Sequence, residues 1–490
     1  MRARWLLMAA LGVAATAHAA PLPRPAEADR ARLFVLSDIG NEPDDQMSLV
    51  RLLLYANEID IEGFGAVTSV WQRDVTHADI AQRVIAAYGA VVPNLRRHED
   101  GYPDGAAMAS RVSTGVGHYG LAAIDADHPS PAALALLAAA EKADKRPLWI
   151  SLWGGANTLA EALEHARRTM TPADLAALVA RLRVYAISDQ DDAGPWIRRE
   201  FPALFWEGTP STPDGSDYAR ATWTGISGDA YYRNGDGADM TRVTNAWLDA
   251  NIRSKGPLGA AYPRFAFIME GDTPSVLGLI PNGLAPREHP NWGGWGGRYV
   301  LRQPYGEGRK LWTQGGDSFW RVTSADTVDG HVSDQATIWR WRPAFQNDFA
   351  ARMDWTILPF AAANHPPQMV VNGDGGLAPL TLHVPTGGQV MLDAGGSRDP
   401  DGNRLTYRWI NYAEAGFDGA ASNAELALSA SEGPRTTVTA VRRCARAWLD
   451  LPQVPCPAVR QAQVVLAVTD DGTPALTRYR RIIIEVADDK

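Results

Sequence analysis

Asp38, Glu42, Asp44 and Asp45 stand within eight consecutive residues. Carboxylates packed that closely repel one another unless protons or a cation sit among them, and hard oxygen ligands on a short turn suit Ca2+ or Mg2+. The same groups can move protons to and from water or a leaving group. A helix cap uses one or two acids, so capping alone does not account for the cluster. Positioning it takes a strand and a helix. Residues 32–37, RLFVLS, form a short, mostly apolar run of strand type. The pattern then turns helical: polar Ser48, Arg51, Tyr55 and Glu58 recur at spacings of three, four and three, with Met47, Leu49, Val50, Leu53 and Leu54 between them. Asp44 and Asp45 fall in the first helical turn. In an open α/β sheet that turn faces the crevice at the carboxyl ends of the strands.

Other strand ends carry polar groups of the same kind. Residues 59–68 read as a second strand and aim Thr68, Ser69 and Trp71 at the crevice. Residues 147–153 read as another and run into Gly154, Gly155 and Asn157, a turn that admits close backbone approach and also suits a helix N-cap. Residues 182–188 end in Asp189, Asp191 and Asp192; residues 264–269 read as a late strand leading to Glu270, Gly271 and Asp272. Strands alternating with helical runs at 76–88 and 129–143 predict a parallel sheet with helices on both faces. His118, in an irregular stretch, is a candidate substrate contact beside a surface-loop reading. Trp292 and Trp295, flanked by glycines, are candidates for a sugar-binding wall.

The strand, the acid-rich turn ending in Asp44-Asp45 and the apolar helix resemble the N-terminal signature of nucleoside hydrolases, which bind Ca2+ and cleave N-ribosidic bonds. In that family the run is Asp, any residue, Asp, three residues, Asp-Asp. Asp38 takes the first place, and Gly40 stands where the family keeps the Asp that ligates calcium and takes a proton from water. The wording DIGNEPDDQMSLVRLLLY is more similar to a secreted nucleoside-hydrolase-like branch described as cellulose-binding, with an extra C-terminal β domain. The resemblance implies a Rossmann-like α/β domain over residues 31–360 and an immunoglobulin-like β-sandwich over residues 365–490. It further implies Ca2+ held by Asp38, Asp45, Asp272 and the carbonyl at Asn157, with Asp44 and Asn157 at the substrate. Asp38 or Glu42 would be the base, and Glu270 adds another acid or base.

The chain has 490 residues, 46% hydrophobic and 21% charged, enough for more than one domain. A net charge of −9 without a Lys/Arg cluster argues against nucleic acid as a partner. Residues 1–20 show the three-part pattern of a secretory signal peptide, which predicts a periplasmic or extracellular protein, and no later stretch reads as a membrane span. In an exported chain Cys444 and Cys456 predict a disulfide, a loop closure worth about 3 kcal/mol. From residue 364 onward, strand-like runs separated by Gly, Asp and Pro turns predict the sandwich, including the turn Asp399-Pro400-Asp401-Gly402. Two functions follow: a hydrolase of a glycosidic bond in a carbohydrate or nucleoside-like substrate, or a polysaccharide-binding protein that engages plant cell-wall material without chemistry. A phosphatase-like metal enzyme lacks support, with neither a P-loop nor His clusters in the chain.

Overall fold

The computed structural model describes residues 21–211, 218–227, 237–284, 286–315, 324–416, 423–444 and 456–488. The candidate signal peptide lies outside them. The first body is an eight-stranded sheet formed by β1 (Ala31–Ser37), β2 (Ile59–Ala66), β3 (Val112–Thr114), β4 (Leu148–Leu152), β5 (Leu182–Ala186), β6 (Phe205–Gly208), β7 (Val300–Arg302) and β8 (Leu311–Thr313). Their order is β3-β2-β1-β4-β5-β6-β8-β7, parallel throughout except for the edge pair β7–β8. The chain builds outward from β1 to β3, returns to place β4 on the other side of β1, and then builds the opposite way. That reversal between β1 and β4 is the switch point at which open α/β sheets form a ligand crevice. Every residue of β1 and β4 is buried, as strands covered by helices on both faces must be.

Seven helices of eight residues or more are described: α1 (Pro43–Leu53), α2 (Ala78–Leu95), α3 (Pro131–Glu141), α4 (Asn157–Thr169), α5 (Pro172–Ala180), α6 (Ala193–Glu200) and α7 (Arg342–Asp354). Pro43 starts α1 at a position where no N–H is needed, and Asp44 and Asp45 occupy its positive first turn. Its polar stripe does not meet water. Ser48, Arg51, Tyr55 and Glu58 are all buried. Arg51 pairs with Glu270 at 2.6 Å and lies 4.0 Å over the Phe349 ring; the Tyr55 hydroxyl donates to Asp348 at 2.7 Å, and Arg352 pairs with Glu58 at 2.5 Å. α1 is thus clasped by α7, more than 280 residues away in sequence. Residues 264–269, expected as a strand, are irregular, so the late loop reaches the crevice without sheet pairing.

Two short strands, β9 (Asp326–Val328) and β10 (His331–Ser333), form a separate hairpin. The second body is a sandwich. One sheet runs β11-β17-β16-β13, the other β12-β15-β14, with β11 (Leu380–Pro385), β12 (Gln389–Asp393), β13 (Leu405–Asn411), β14 (Glu425–Leu428), β15 (Arg435–Arg442), β16 (Val459–Asp470) and β17 (Thr477–Ala487). Trp409, Leu426, Val438, Leu466 and Ile482 fill the space between the sheets. Cys444 and Cys456 are bonded, with Cα atoms 6.1 Å apart.

The two bodies are fastened by buried polar contacts. Arg478 of β17 pairs with Asp348 of α7 at 2.6 Å, and the Arg481 guanidinium donates to the carbonyls of Leu284 and Gly293 at 2.7 and 2.6 Å. Trp295 is 1% exposed and packs edge-on against Phe345 and Tyr479, while Trp292 stacks on His289 and lies beneath Arg481. Both belong to this junction, so the expected sugar-binding wall is a domain seam instead. A second fastening crosses the linker: His98 Nε2 lies 2.9 Å from the Leu358 carbonyl, His98 Nδ1 2.9 Å from His365 Nε2, and His365 Nδ1 3.0 Å from Asp401. Among the described residues, no helix is long and apolar enough to cross a membrane.

Candidate active site

At the switch point a cavity of about 560 Å³ opens. Its acids come from the turn after β1 (Asp38, Glu42, Asp44 and Asp45) and from the late loop (Asp272). Trp71, Trp153, Tyr218, Trp223 and Phe267 supply aromatic wall, joined by Ile187 and Gln190. The Ser37 hydroxyl donates to Asp45, and the Ser69 hydroxyl donates to Asp38 Oδ2. Ser69 Oγ also accepts the Trp71 and Gln72 amides at 3.0 and 3.2 Å, so one side chain sets both an acid and the loop carrying Trp71. Trp153 is held from below by Ser151 and Ser275, each 2.9 Å from its Nε1. Gly271 brings the late loop close to the acidic turn: a Cβ there would lie 2.7 Å from Asp44 Oδ2 and would displace that carboxylate.

Asp44, Asp45 and Asp272 each place a carboxylate oxygen within 4.8 Å of the others. Asp272 Oδ2 is buried without a hydrogen-bond partner. Burial pushes Asp38 up to about 6 against the pull of Ser69, and burial reinforced by Glu42 and Asp38 pushes Asp44 up to about 7. Asp45 and Asp272 are raised well above the usual carboxylate range by burial and by their acidic neighbours, and Glu42 is raised by burial. No Lys, Arg or His lines the cavity among the described residues. The described lining therefore supplies no countercharge, and an all-oxygen donor set with one orphaned buried oxygen fits a hard divalent cation.

Several expected residues lie elsewhere. Asn157 opens α4: its amide donates to Asp191 at 2.9 Å and its side chain to the His118 carbonyl at 2.8 Å, and it does not line the cavity. The His118 ring is exposed and faces Asp74 at 3.3 Å, leaving only its carbonyl turned inward. Glu270 has φ +59°, which turns its side chain away from Asp272 and into the ion pair with Arg51, where Tyr262 also donates to it at 2.6 Å. The acids after β5 are structural: Asp189 pairs with Arg198 at 2.7 Å, Asp191 caps α4, and Asp192 accepts the Leu121 amide at 2.8 Å. Asp38 lines the cavity but stands outside the three-carboxylate group, and Asp44 takes its place there. Tyr218 and Trp223 lie in stretches without periodicity and Phe267 in the run read as a late strand, and nothing in their spacing marks them as wall.

Gly40 also gains a reason. Its φ is +115°, and a Cβ there would lie 2.6 Å from the His77 ring. The position at which nucleoside hydrolases carry their second Asp is closed to any side chain unless His77 moves.

The family profile described as "Cellulose-binding Sde182, nucleoside hydrolase-like domain" matches residues 32–299, and that described as "Cellulose-binding protein Sde0182, C-terminal domain" matches residues 389–486. Among solved structures, a nucleoside hydrolase-related hypothetical protein from Saccharophagus degradans, said to be associated with carbohydrate metabolism, is 32% identical. The match covers 93% of this chain and 100% of that one with a TM-score of 0.75. The effector protein XOO4466 aligns over 70% of this chain and 96% of its own at 13% identity, with a TM-score of only 0.31. No curated protein matches. The chain belongs to the cellulose-binding Sde182 family, a nucleoside hydrolase-like α/β domain followed by the family's C-terminal β domain.

Proposed function

We propose that the protein is an exported hydrolase of a glycosidic bond in a carbohydrate, working in the cavity between β1 and β4. The observation that carries this reading is the gathering of five carboxylates, three of them able to share one cation, beneath an aromatic wall at the switch point. Asp44, Asp45 and Asp272 would hold Ca2+, which supplies charge to fix vicinal sugar hydroxyls. Asp38, oriented by Ser69, is placed to take a proton from water, and Glu42 at the half-exposed edge of the turn is placed to exchange protons with the leaving group. Export rests on the leader at residues 1–20, and the family's description as cellulose-binding supports a carbohydrate partner. Hydrolysis of cello-oligosaccharides, aryl glycosides and nucleosides, followed with Ca2+ and after chelation, tests the proposal. Asp272→Asn should abolish Ca2+ binding in calorimetry and lower turnover at least about 100-fold. Unchanged turnover in that variant would sink it.

A second reading has its own observation. Gly40, shut by His77, removes the water-activating Asp of nucleoside hydrolases and favours a polysaccharide-binding protein without chemistry. Oligosaccharide binding with no product on any substrate would decide for it.

A further inference from the structure

Asp399 and Asp470 stand at one end of the sandwich, where residues 399–404 lead into β13 and residues 471–476 join β16 to β17. The two turns lie side by side: the Asp471 amide donates to the Arg404 carbonyl at 3.1 Å, and the Arg404 amide to Asp471 Oδ1 at 2.9 Å. Each acid has one oxygen fully used. Asp399 Oδ1 accepts the amides of Asp401 and Asn403 at 2.9 and 3.0 Å. Asp470 Oδ1 accepts the amides of Gly472 and Leu476 at 2.9 and 3.0 Å and the Asn364 side chain at 2.9 Å. The other oxygen of each, Oδ2, is buried without a hydrogen-bond partner, and Asp470 as a whole is 3% exposed. Among the described residues no basic side chain bonds to either acid; His365 goes to Asp401 and Arg404 to Asp471.

The linker ties the two turns together. The Asn403 side chain donates to Asn364 Oδ1 at 2.7 Å, and Asn364 in turn donates to Asp470. A Cβ at Gly472 would lie 2.3 Å from the Asn364 side chain, so the linker presses directly on the second turn. Burial raises both carboxyls above the usual range, and the charge of Asp399 adds to the rise at Asp470. Carboxylate oxygens sealed from water and left unpaired cost free energy unless a cation or a proton meets them. A space too tight for water still admits Ca2+, whose oxygen ligands stand at about 2.3–2.6 Å.

We propose that Asp399 Oδ2 and Asp470 Oδ2 are ligands of a structural Ca2+ that fastens both turns of the sandwich to the linker at Asn364. This site is separate from the acidic cavity and stands whether or not the cavity performs chemistry. Carboxylates supplemented by amide and carbonyl oxygens on turns suit Ca2+, whereas Mg2+ demands a near-ideal octahedron. With two carboxylates in place of three, its affinity falls in the range of about 0.1–1 mM found for extracellular modules.

Calorimetry on the full chain after chelation, in Asp272→Asn so that the cavity is silent, tests the proposal. One equivalent of Ca2+ should remain, with Mg2+ at least about tenfold weaker. Trp355 Nε1 donates to the Asn364 carbonyl at 2.9 Å, so Tb3+ in this site should emit on tryptophan excitation. Adding Asp399→Asn or Asp470→Asn, each of which keeps Oδ1 as an acceptor and replaces only the unpaired oxygen, should abolish both the equivalent and the emission. The thermal midpoint of Asp272→Asn should rise by about 2–5 °C in 10 mM Ca2+, and neither double variant should show the rise. No Ca2+ bound in Asp272→Asn, an equivalent that survives both replacements, or binding without a rise in midpoint would overturn the proposal. Should Asp470→Asn fail to fold, Asp399→Asn at its half-exposed turn decides. If Asp272→Asn still binds two equivalents, the cavity assignment fails, and the drop of one equivalent in the sandwich variants still decides this one.

Discussion

Asp38 and Asp44 show what a crowded acidic site does to its own protons. Their folded values of about 6 and 7 lie above the ordinary 3.8, so between pH 4 and 7 the folded chain binds more protons than the unfolded chain. The contribution is therefore fully favourable below pH 4 and is lost as pH rises through 6 and 7. In chelator, thermal stability should fall across that window; in millimolar Ca2+ it should not, and calorimetry in buffers of different ionisation enthalpy should register protons released on binding. A stability profile indifferent to Ca2+ at pH 7 would contradict the assignment of the cation to this site. The acids of the first turn were legible in the sequence because four of them in one strand-to-helix turn exceed what capping needs. The acids after β5 have the same composition and the opposite use. Arg198, nine residues beyond Asp189, turns that carboxylate inward, and sequence spacing alone does not disclose such a pairing.

At the scale of elements, α1 is the lesson. Its polar residues at 48, 51, 55 and 58 mark a helical stripe correctly, but a stripe of that kind ordinarily faces water, and here α7 and the late loop cover it. The period is local information, whereas the partner comes from residues 262–352 and was not visible. Glu270 illustrates the same limit: its neighbour Asp272 reaches the cavity, yet a left-handed backbone at Glu270 sends it to Arg51. Removing one partner of a buried pair leaves an uncompensated charge. Arg51→Met should cost about 3–5 kcal/mol in urea unfolding. Glu270→Gln, which keeps the Tyr262 and Arg51 contacts in part, should cost less and leave Ca2+ affinity within about twofold. A selective loss of Ca2+ binding in Glu270→Gln would restore Glu270 to the site.

For the whole molecule, the mainly parallel sheet and the β-sandwich followed from strand-helix alternation and from the change of composition near residue 364, whereas the strand order and its switch point came from the structure. The seam between the domains did not, because Trp292 and Trp295 look alike whether they meet a sugar or Tyr479 and Arg481. One titrating group reports on that seam. Burial holds His98 down to about 4, below its ordinary 6.5, so the unfolded chain binds the extra proton in between, and stability falls as pH drops through that window. With Ca2+ present to silence the acidic cluster, His98→Gln should flatten the decline between pH 6.5 and 4 in thermal unfolding. An unchanged slope would place the acid sensitivity elsewhere.

The linker contacts also fix a direction. Since His98 Nε2 faces the Leu358 carbonyl, it carries the hydrogen, and neutral His98 offers Nδ1 as an acceptor. His365 Nε2 must then donate to His98 Nδ1, while His365 Nδ1 faces the Asp401 carboxylate, which also accepts the His365 amide at 2.7 Å. The two links whose direction the Leu358 carbonyl fixes, His365 to His98 and His98 to Leu358, both run from the linker into the α/β body. The sandwich and the α/β body thus meet here through one linker side chain, His365, which holds Asp401 on one side and His98 on the other.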